Sequence, residues 1–211
     1  MPAGRGLVGN TNNKAGHAPV RGQSLRLAKW HRHAAAAGAD GVVRDWLATP
    51  GSLTARLVAH SDAFRVQRLH QKLASCLPEE AASIGLARRE RVREREVLLC
   101  CDGVPVVFGH TVVPLSATAS DWPLFSALGE RSLGSTLFYD PKVRRGPLEF
   151  ARLRRGHPLL ARVRRALDFD LDGNNFYARR CVYRRHQGLL MVTEVFLPAV
   201  FNLTATATIA K

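Results

Sequence analysis

One isolated acid and one isolated arginine, each set in an apolar strand-like run, are the residues of this chain best placed to do chemistry. The run LLMVTEVFLP at 189–198 contains a single carboxylate, Glu194, and the run EREVLLCCD at 94–102 places Arg95 at the start of an apolar segment. Burying either charge costs free energy unless another group uses it. A small ligand that is anionic at one end and carries a hydroxyl at the other would use both.

Each of these residues also has a plainer interpretation. Alternate side chains of a strand share a face, so Arg95 lies either with Val97 and Leu99 against the core or at a sheet edge in solvent. In the plainer interpretation of Glu194, the carboxylate forms an ion pair with Arg179 or Arg180 on the preceding strand.

The chain lacks the motifs of several other catalytic classes. It contains no Ser–His–Asp order, no glycine-rich phosphate loop and no HExxH. His110 lies on a predicted strand without a recognisable partner, which favours a core or surface histidine over a catalytic one. The residues alone therefore indicate an anion pocket and no more.

The composition is that of an ordinary globular protein with a strongly basic balance. Hydrophobic residues make up 46% and charged residues 23% of 211 residues, which predicts one domain with a real core. The net charge of +14 points to nucleic acid, but the arginines are dispersed and no aromatic residues interleave them. A basic surface also concentrates small anions, so we expect no nucleic-acid partner.

Targeting signals and cysteines bear on the compartment. No apolar run reaches the roughly eighteen residues that span a bilayer, so we expect no membrane insertion. Residues 1–33 are basic and contain no acid, which fits a disordered leader, with an organelle transit peptide as the alternative.

The cysteines are spaced as isolated thiols. None of the four forms a CxxC pair, which predicts reduced thiols in a cytoplasmic protein and no zinc site.

The chain divides into three parts by pattern. Residues 1–39 are rich in Gly, Asn, Ala and His without periodicity, and we expect a flexible basic leader there. The domain is expected over 40–200 and a C-terminal tail over 201–211. Near its start, apolar residues at helical spacing over 42–47 predict a helix, and Ser52 can cap a second one.

The remaining elements are mostly strands joined as hairpins. Asp102-Gly103 separates two apolar runs and is a strong hairpin signal. Gln187-Gly188 joins a second pair of strands, and residues 156–175 are expected to be irregular. Hairpin-connected strands with a few segregated helices predict an α+β domain on an antiparallel sheet.

Three blocks of the sequence carry a family resemblance. They read REVLLCCDGVPVVFGHTVVP at 95–114, LGERSLGSTLF at 128–138 and YARRCVYRRHQGLLMVTEVFLP at 177–198. In this order and spacing they resemble chorismate pyruvate-lyase, the family of small enzymes that make 4-hydroxybenzoate for ubiquinone biosynthesis. The segments DWL at 45–47 and SLT at 52–54 fit the start of that family as well. The resemblance covers about residues 40–200.

The resemblance implies a fold, a reaction and a site. The fold is an antiparallel sheet of about six strands with helices on one face, enclosing the ligand under flap-like segments. The reaction converts chorismate to 4-hydroxybenzoate and pyruvate with no cofactor and no metal. We also expect the protein to be a monomer. By resemblance, Arg95 binds the ring carboxylate, Glu194 contacts the product hydroxyl, and the backbone at Leu133 also meets the carboxylate. Leu53 is an apolar contact where some members have Met.

One site residue and two other functions stay open. The enolpyruvyl carboxylate needs a cation of its own, and the candidates are Arg179 and Arg180. The same fold serves as the effector-binding module of some transcription regulators. That alternative requires a helix-turn-helix before residue 40, which the glycine-rich leader does not offer. The third alternative is a basic nucleic-acid-binding protein, whose binding would fall steeply with salt.

Overall fold

The computed structural model describes residues 28–167 and 175–204. Its helices are α1 (Gly41–Leu47), α2 (Leu53–Ala59), α3 (Leu115–Thr118), α4 (Leu133–Tyr139) and α5 (Pro158–Leu167). Its strands are β1 (Phe64–Ser75), β2 (Arg91–Cys101), β3 (Val104–Pro114), β4 (Val143–Arg145), β5 (Glu149–Leu153), β6 (Phe176–Arg185) and β7 (Gly188–Phe196). Short 3-10 helices lie at Ala34–Ala37, Ala82–Ile84, Pro123–Ala127 and Pro198–Asn202.

The strands form one sheet in which all neighbours are antiparallel. The order is β1-β2-β3-β7-β6-β4, and β5 pairs with another part of β6. This confirms the α+β class and the antiparallel sheet, with seven strands where about six were expected. None of the helices within 28–167 and 175–204 is long and apolar enough to cross a membrane.

The hairpin turns follow the local chemistry of the sequence. Asp102 and Gly103 have φ of 51° and 80°, the left-handed pair that a tight hairpin turn requires, so the predicted turn is confirmed. In the second hairpin His186 has φ of 52° and β7 begins at Gly188. The turn therefore uses His186 and Gln187, one residue earlier than the predicted pair.

Helices cover both faces of the sheet, not one. On the first face, α1 and α2 pack Trp46 and Leu57 against the strands. On the second face, α5 packs Leu159 and Val163 against Phe108 of β3. The expectation that residues 156–175 are irregular is therefore wrong for 158–167, and residues 168–174 lie outside the described part. Three arginines within α5 interrupt its apolar residues, so the apolar stripe of the helix is not evident from the sequence.

The packed chain begins before Asp40. Ala34, Ala37 and Ala39 are buried, and His31 pairs with Phe150 at the edge of β5. The expectation of a flexible leader is therefore wrong for residues 28–39, and residues 1–27 lie outside the described part. These alanines fill narrow gaps in the core but follow neither a helical nor a strand period. The sequence pattern therefore did not predict that they are buried. At the other end, the expected tail at 201 starts inside the 3-10 helix Pro198–Asn202.

A chain of buried charges lies on the second face of the sheet. His110 is fully buried, with Nδ1 3.2 Å from Glu96 Oε1 and Nε2 2.9 Å from Glu80 Oε1. Arg162 of α5 then contacts both Glu96 and Glu94. His110 thus has the partners that the sequence did not reveal. Burial opposes its charged form, but the two carboxylates outweigh burial and raise the pKa of His110 to about 9.

The stability of the fold should depend on the charge of His110. Its pKa in the folded state lies above the ordinary value, so the stabilisation is complete below about pH 6.5 and is lost as the pH rises through about 9. We expect the free energy of unfolding to fall across that range by up to about 1.4 kcal/mol per pH unit. Urea unfolding at several pH values measures this. A His110→Gln variant should lack the slope, and an identical slope in both proteins would contradict the assignment.

Candidate active site

The predicted site residues Leu53, Arg95, Leu133 and Glu194 all line one cavity. This cavity lies on the first face of the sheet, the face that α1 and α2 cover. Its space, counted out to its mouth, is about 590 Å³. The floor comes from the central strands β2, β3, β7 and β6, and the walls come from the first turns of α2 and α4 and from β4. The described residues that line it are Ser52, Leu53, Thr54, Val66, Arg95, Val97, Leu99, Gly109, Thr111, Ser132, Leu133, Gly134, Leu137, Arg145, Arg179, Tyr183, Val192 and Glu194.

Arg95 lies deep in this cavity. The residue is 2% exposed, and its Nη2 donates to the carbonyls of Gly129 at 3.1 Å and Arg131 at 3.0 Å. Its Nε is buried and has no hydrogen-bond partner among the described residues. Burial and the charge of Arg68 lower the pKa of Arg95 to about 10, which leaves it charged at neutral pH. A buried donor without an acceptor fits a ligand carboxylate.

Glu194 lines the same cavity and is paired with Arg179. The two residues are opposite each other in the β6–β7 register, and Arg179 Nε donates to Glu194 Oε2 at 2.5 Å. Arg179 is itself buried and donates through Nη1 to the carbonyls of Leu47 and Thr49 at 3.2 Å each. The plainer interpretation of Glu194 as an arginine partner is therefore correct, and the pair sits inside the cavity.

The two helix starts bring Leu53 and Leu133 to the cavity wall. Ser52 caps α2 by accepting a hydrogen bond from the Ala55 amide at 3.2 Å, which confirms the predicted cap. The hydroxyls of Thr54 and Ser132 lie 2.8 Å apart and join the two helix starts. A Cβ on Gly134 would stand 3.0 Å from Thr54 Oγ1, so a glycine permits this close approach.

A glycine also shapes the floor. Gly109 of β3 pairs with Val97 on one side and Glu194 on the other, between the strands that carry the two predicted site residues. A Cβ at this position would meet Val97 Cγ2 at 3.0 Å and project toward the cavity. The missing side chain leaves room for a flat ligand over the floor.

Two cavity residues were missed by sequence reasoning. Arg145 and Tyr183 are opposite each other in the β4–β6 register, and both line the cavity. Tyr183 lies four residues after Arg179 on β6 and therefore shares its strand face, and this even spacing was the available signal. Burial raises the pKa of Tyr183, so its phenol keeps the proton and can donate a hydrogen bond.

Arg180 lies outside the cavity, on the second face of the sheet. Its Nε donates to Glu149 Oε2 at 2.8 Å, and its guanidinium lies 4.3 Å from the ring centre of Trp30. This position removes Arg180 as a candidate for a second ligand carboxylate.

The lining of the cavity is positively charged overall. The described residues that line it include three guanidinium groups and one carboxylate, a formal sum of +2. A group with metal-ligand chemistry, His70, Glu94 and Glu96, lies on the second face, outside the cavity. Arg162 contacts both of its carboxylates.

Comparison with known proteins identifies the family of the chain. The family described as chorismate lyase matches residues 24–206 of the chain. A protein of Cupriavidus metallidurans named probable chorismate pyruvate-lyase is 45% identical over 184 residues, covering 87% of this chain and 86% of that protein. A protein of the same name from Cupriavidus pinatubonensis is 48% identical over 156 residues, covering 74% and 80%.

Solved structures resemble the fold at low sequence identity. A GntR-family transcriptional regulator from Bacillus cereus superposes with a TM-score of 0.50 at 12% identity, covering 69% of this chain and 99% of that one. PhnF from Mycobacterium smegmatis superposes with a TM-score of 0.51 at 17% identity, covering 76% and 69%. These likenesses bear on the fold, whereas the family match spans nearly the whole described domain. The chain belongs to the chorismate lyase family.

Proposed function

We propose that this protein is a lyase that converts chorismate to 4-hydroxybenzoate and pyruvate. The observation that supports it best is the joint placement of Arg95 and Glu194 in one cavity of a chorismate lyase family member. Relatives at 45% and 48% identity carry the name probable chorismate pyruvate-lyase. The product would supply the aromatic precursor of ubiquinone.

The reaction requires the protein mainly to position the substrate and to stabilise negative charge. The ether bond between the ring and the enolpyruvyl group breaks, and its electron pair leaves with the enolpyruvate. The ring carbon that carries the hydroxyl loses its proton, the ring becomes aromatic, and enolpyruvate takes up a proton on carbon to give pyruvate. Aromatisation supplies the driving force, so catalysis depends on a reactive pose and on stabilising the leaving anion.

The cavity offers a role for each predicted residue. The guanidinium of Arg95 is a fork that matches a planar ring carboxylate, and its free Nε supplies one prong. Glu194, held by Arg179, accepts a hydrogen bond from the ring hydroxyl and takes the proton from the adjoining carbon. Leu53 and Leu133 exclude water from the ring on either side, and the backbone at Leu133 contributes to carboxylate binding.

We take the active unit to be a single chain in the cytoplasm. The four cysteines are buried free thiols, as expected from their spacing, which suits a reducing compartment.

Turnover without additives is the direct test. The purified protein, treated exhaustively with a chelator and supplied with no nucleotide, should convert chorismate to equal amounts of 4-hydroxybenzoate and pyruvate. The first is followed by its absorbance, and the second is measured with lactate dehydrogenase in samples taken after the reaction has been stopped. A strict requirement for an added metal would refute the proposed mechanism. Tight binding of 4-hydroxybenzoate with no turnover would instead indicate an effector-binding module.

A further inference from the structure

We propose that Arg145 binds the carboxylate of the enolpyruvyl group, the part of the substrate that departs as pyruvate. This inference rests on the proposed function, because it concerns the second carboxylate of chorismate. The ring carboxylate is assigned to Arg95. Two other guanidinium groups line the cavity, those of Arg145 and Arg179, and the structure distinguishes between them.

Arg179 is already committed within the protein. Its Nε is bonded to Glu194 at 2.5 Å, and its Nη1 donates to two backbone carbonyls that end α1. The side chain is 3% exposed. Turning it toward a ligand would break a buried ion pair and leave two carbonyls without their donor. The free-energy cost of these losses exceeds the free energy gained from a new ion pair.

The charges of the cavity and of the substrate also point to Arg145. The Arg179–Glu194 pair is neutral as a unit, so the formal +2 of the lining resides in Arg95 and Arg145. Chorismate carries two carboxylates at neutral pH, and its aromatic product carries one. The lining thus offers one cation for each carboxylate of the substrate.

The placement of Arg145 suits a group that leaves. Arg145 ends β4 at the side of the sheet, and its Nη1 donates to the Pro50 carbonyl at 2.7 Å, between α1 and α2. The residue is partly exposed, whereas Arg95 is 2% exposed. The ring carboxylate is thus held in the interior, and the departing carboxylate lies nearer to solvent. Tyr183, opposite Arg145 on β6, adds a neutral phenol donor.

This position gives Arg145 a role in the chemical step. Negative charge grows on the enolpyruvyl group as its bond to the ring breaks. A guanidinium paired with the carboxylate of that group stabilises the charge more as it grows, so it lowers the barrier as well as binding the substrate. Arg145 also selects dicarboxylates over ring acids that lack the side chain.

The test uses the difference between substrate and product. In Arg145→Gln we expect kcat/KM for chorismate to fall at least about a hundredfold, the scale for truncating one partner of a hydrogen-bonded charge pair. The Kd of 4-hydroxybenzoate, which has no second carboxylate, should stay within about twofold of wild type. Arg145→Lys should recover part of the activity. The matched control is Arg144→Gln, an exposed neighbour on the same strand, which should leave both values unchanged.

The outcomes separate this inference from the proposed function. If kcat/KM of Arg145→Gln stays within threefold of wild type, or if 4-hydroxybenzoate binding weakens as much as turnover, Arg145 does not bind the second carboxylate. If Arg145→Gln does not fold, Arg145→Lys carries the same comparison. If the wild type does not turn over chorismate, the proposed function fails. Calorimetry of chorismate and 4-hydroxybenzoate binding then tests Arg145 directly, because only chorismate affinity should fall in the variant.

Discussion

Replacing Arg95 with alanine is expected to weaken 4-hydroxybenzoate binding at least about a hundredfold. The ring carboxylate would then lie in a dry cavity without its partner, and breaking a buried pair in this way costs roughly 3–5 kcal/mol. Arg95→Lys should recover only part of the affinity, because an ammonium cannot reproduce the two-pronged geometry of a guanidinium. Isothermal titration with 4-hydroxybenzoate and steady-state turnover of chorismate measure the two losses.

Arg95 also holds the loop before α4, and the experiment has to separate that role. Its Nη2 donates to the carbonyls of Gly129 and Arg131, so Arg95→Ala should also lower the melting temperature. The control is Arg93→Ala, two residues earlier on β2, whose side chain does not line the cavity. Folded Arg95→Ala protein that binds 4-hydroxybenzoate like the wild type would place the anion elsewhere.

Glu194→Gln is expected to lower turnover by about a hundredfold or more while leaving 4-hydroxybenzoate binding within an order of magnitude. The amide keeps the shape and a hydrogen bond to the ring hydroxyl, but it cannot take up a proton, and general-base catalysis is typically worth about a hundredfold or more. Pre-steady-state and steady-state rates of 4-hydroxybenzoate formation test this. A loss of only a few fold would limit Glu194 to orienting the hydroxyl.

This substitution also removes the charge that compensates Arg179, so a stability control is required. Glu149→Gln is closely matched, because Glu149 pairs with Arg180, the next residue of β6, on the opposite face. Both variants lose a strand-paired carboxylate that contacts an arginine, and both should melt at lower temperature. Only Glu194→Gln should lose turnover, and an equal loss in Glu149→Gln would assign the effect to the sheet.

The sequence was informative where local pattern and parity decide the structure. The Asp102-Gly103 turn and the Ser52 cap are set by neighbouring residues and could be predicted. Strand parity correctly placed Arg95 with Val97 and Leu99, although only burial could show that it faces a cavity and not solvent. The family resemblance pointed to Leu53 and Leu133, which have no chemistry of their own to mark them.

The parts that could not be predicted depend on contacts between distant segments. Arg145 lies in a three-residue strand that exists because β6 pairs with it, and no periodicity marks so short a run. His110 receives its two carboxylates from different elements, and their meeting is fixed by the sheet register and the 76–90 loop. The placement of Arg179 inside the cavity and of Arg180 outside it likewise depends on the face of the sheet that each side chain takes.

The register of β3 against β7 has a consequence for how the protein folds. Gly109 pairs with Glu194, so the floor of the cavity is the junction between an N-terminal group of strands, β1 to β3, and a C-terminal group that includes β6 and β7. Each group closes through near neighbours in sequence, whereas the junction joins residues far apart and closes slowly. Arg95 stands on one side of it and Glu194 on the other. We therefore expect the cavity to be completed in the last and least local step of folding, and a ligand that contacts both Arg95 and Glu194 should stabilise the folded state.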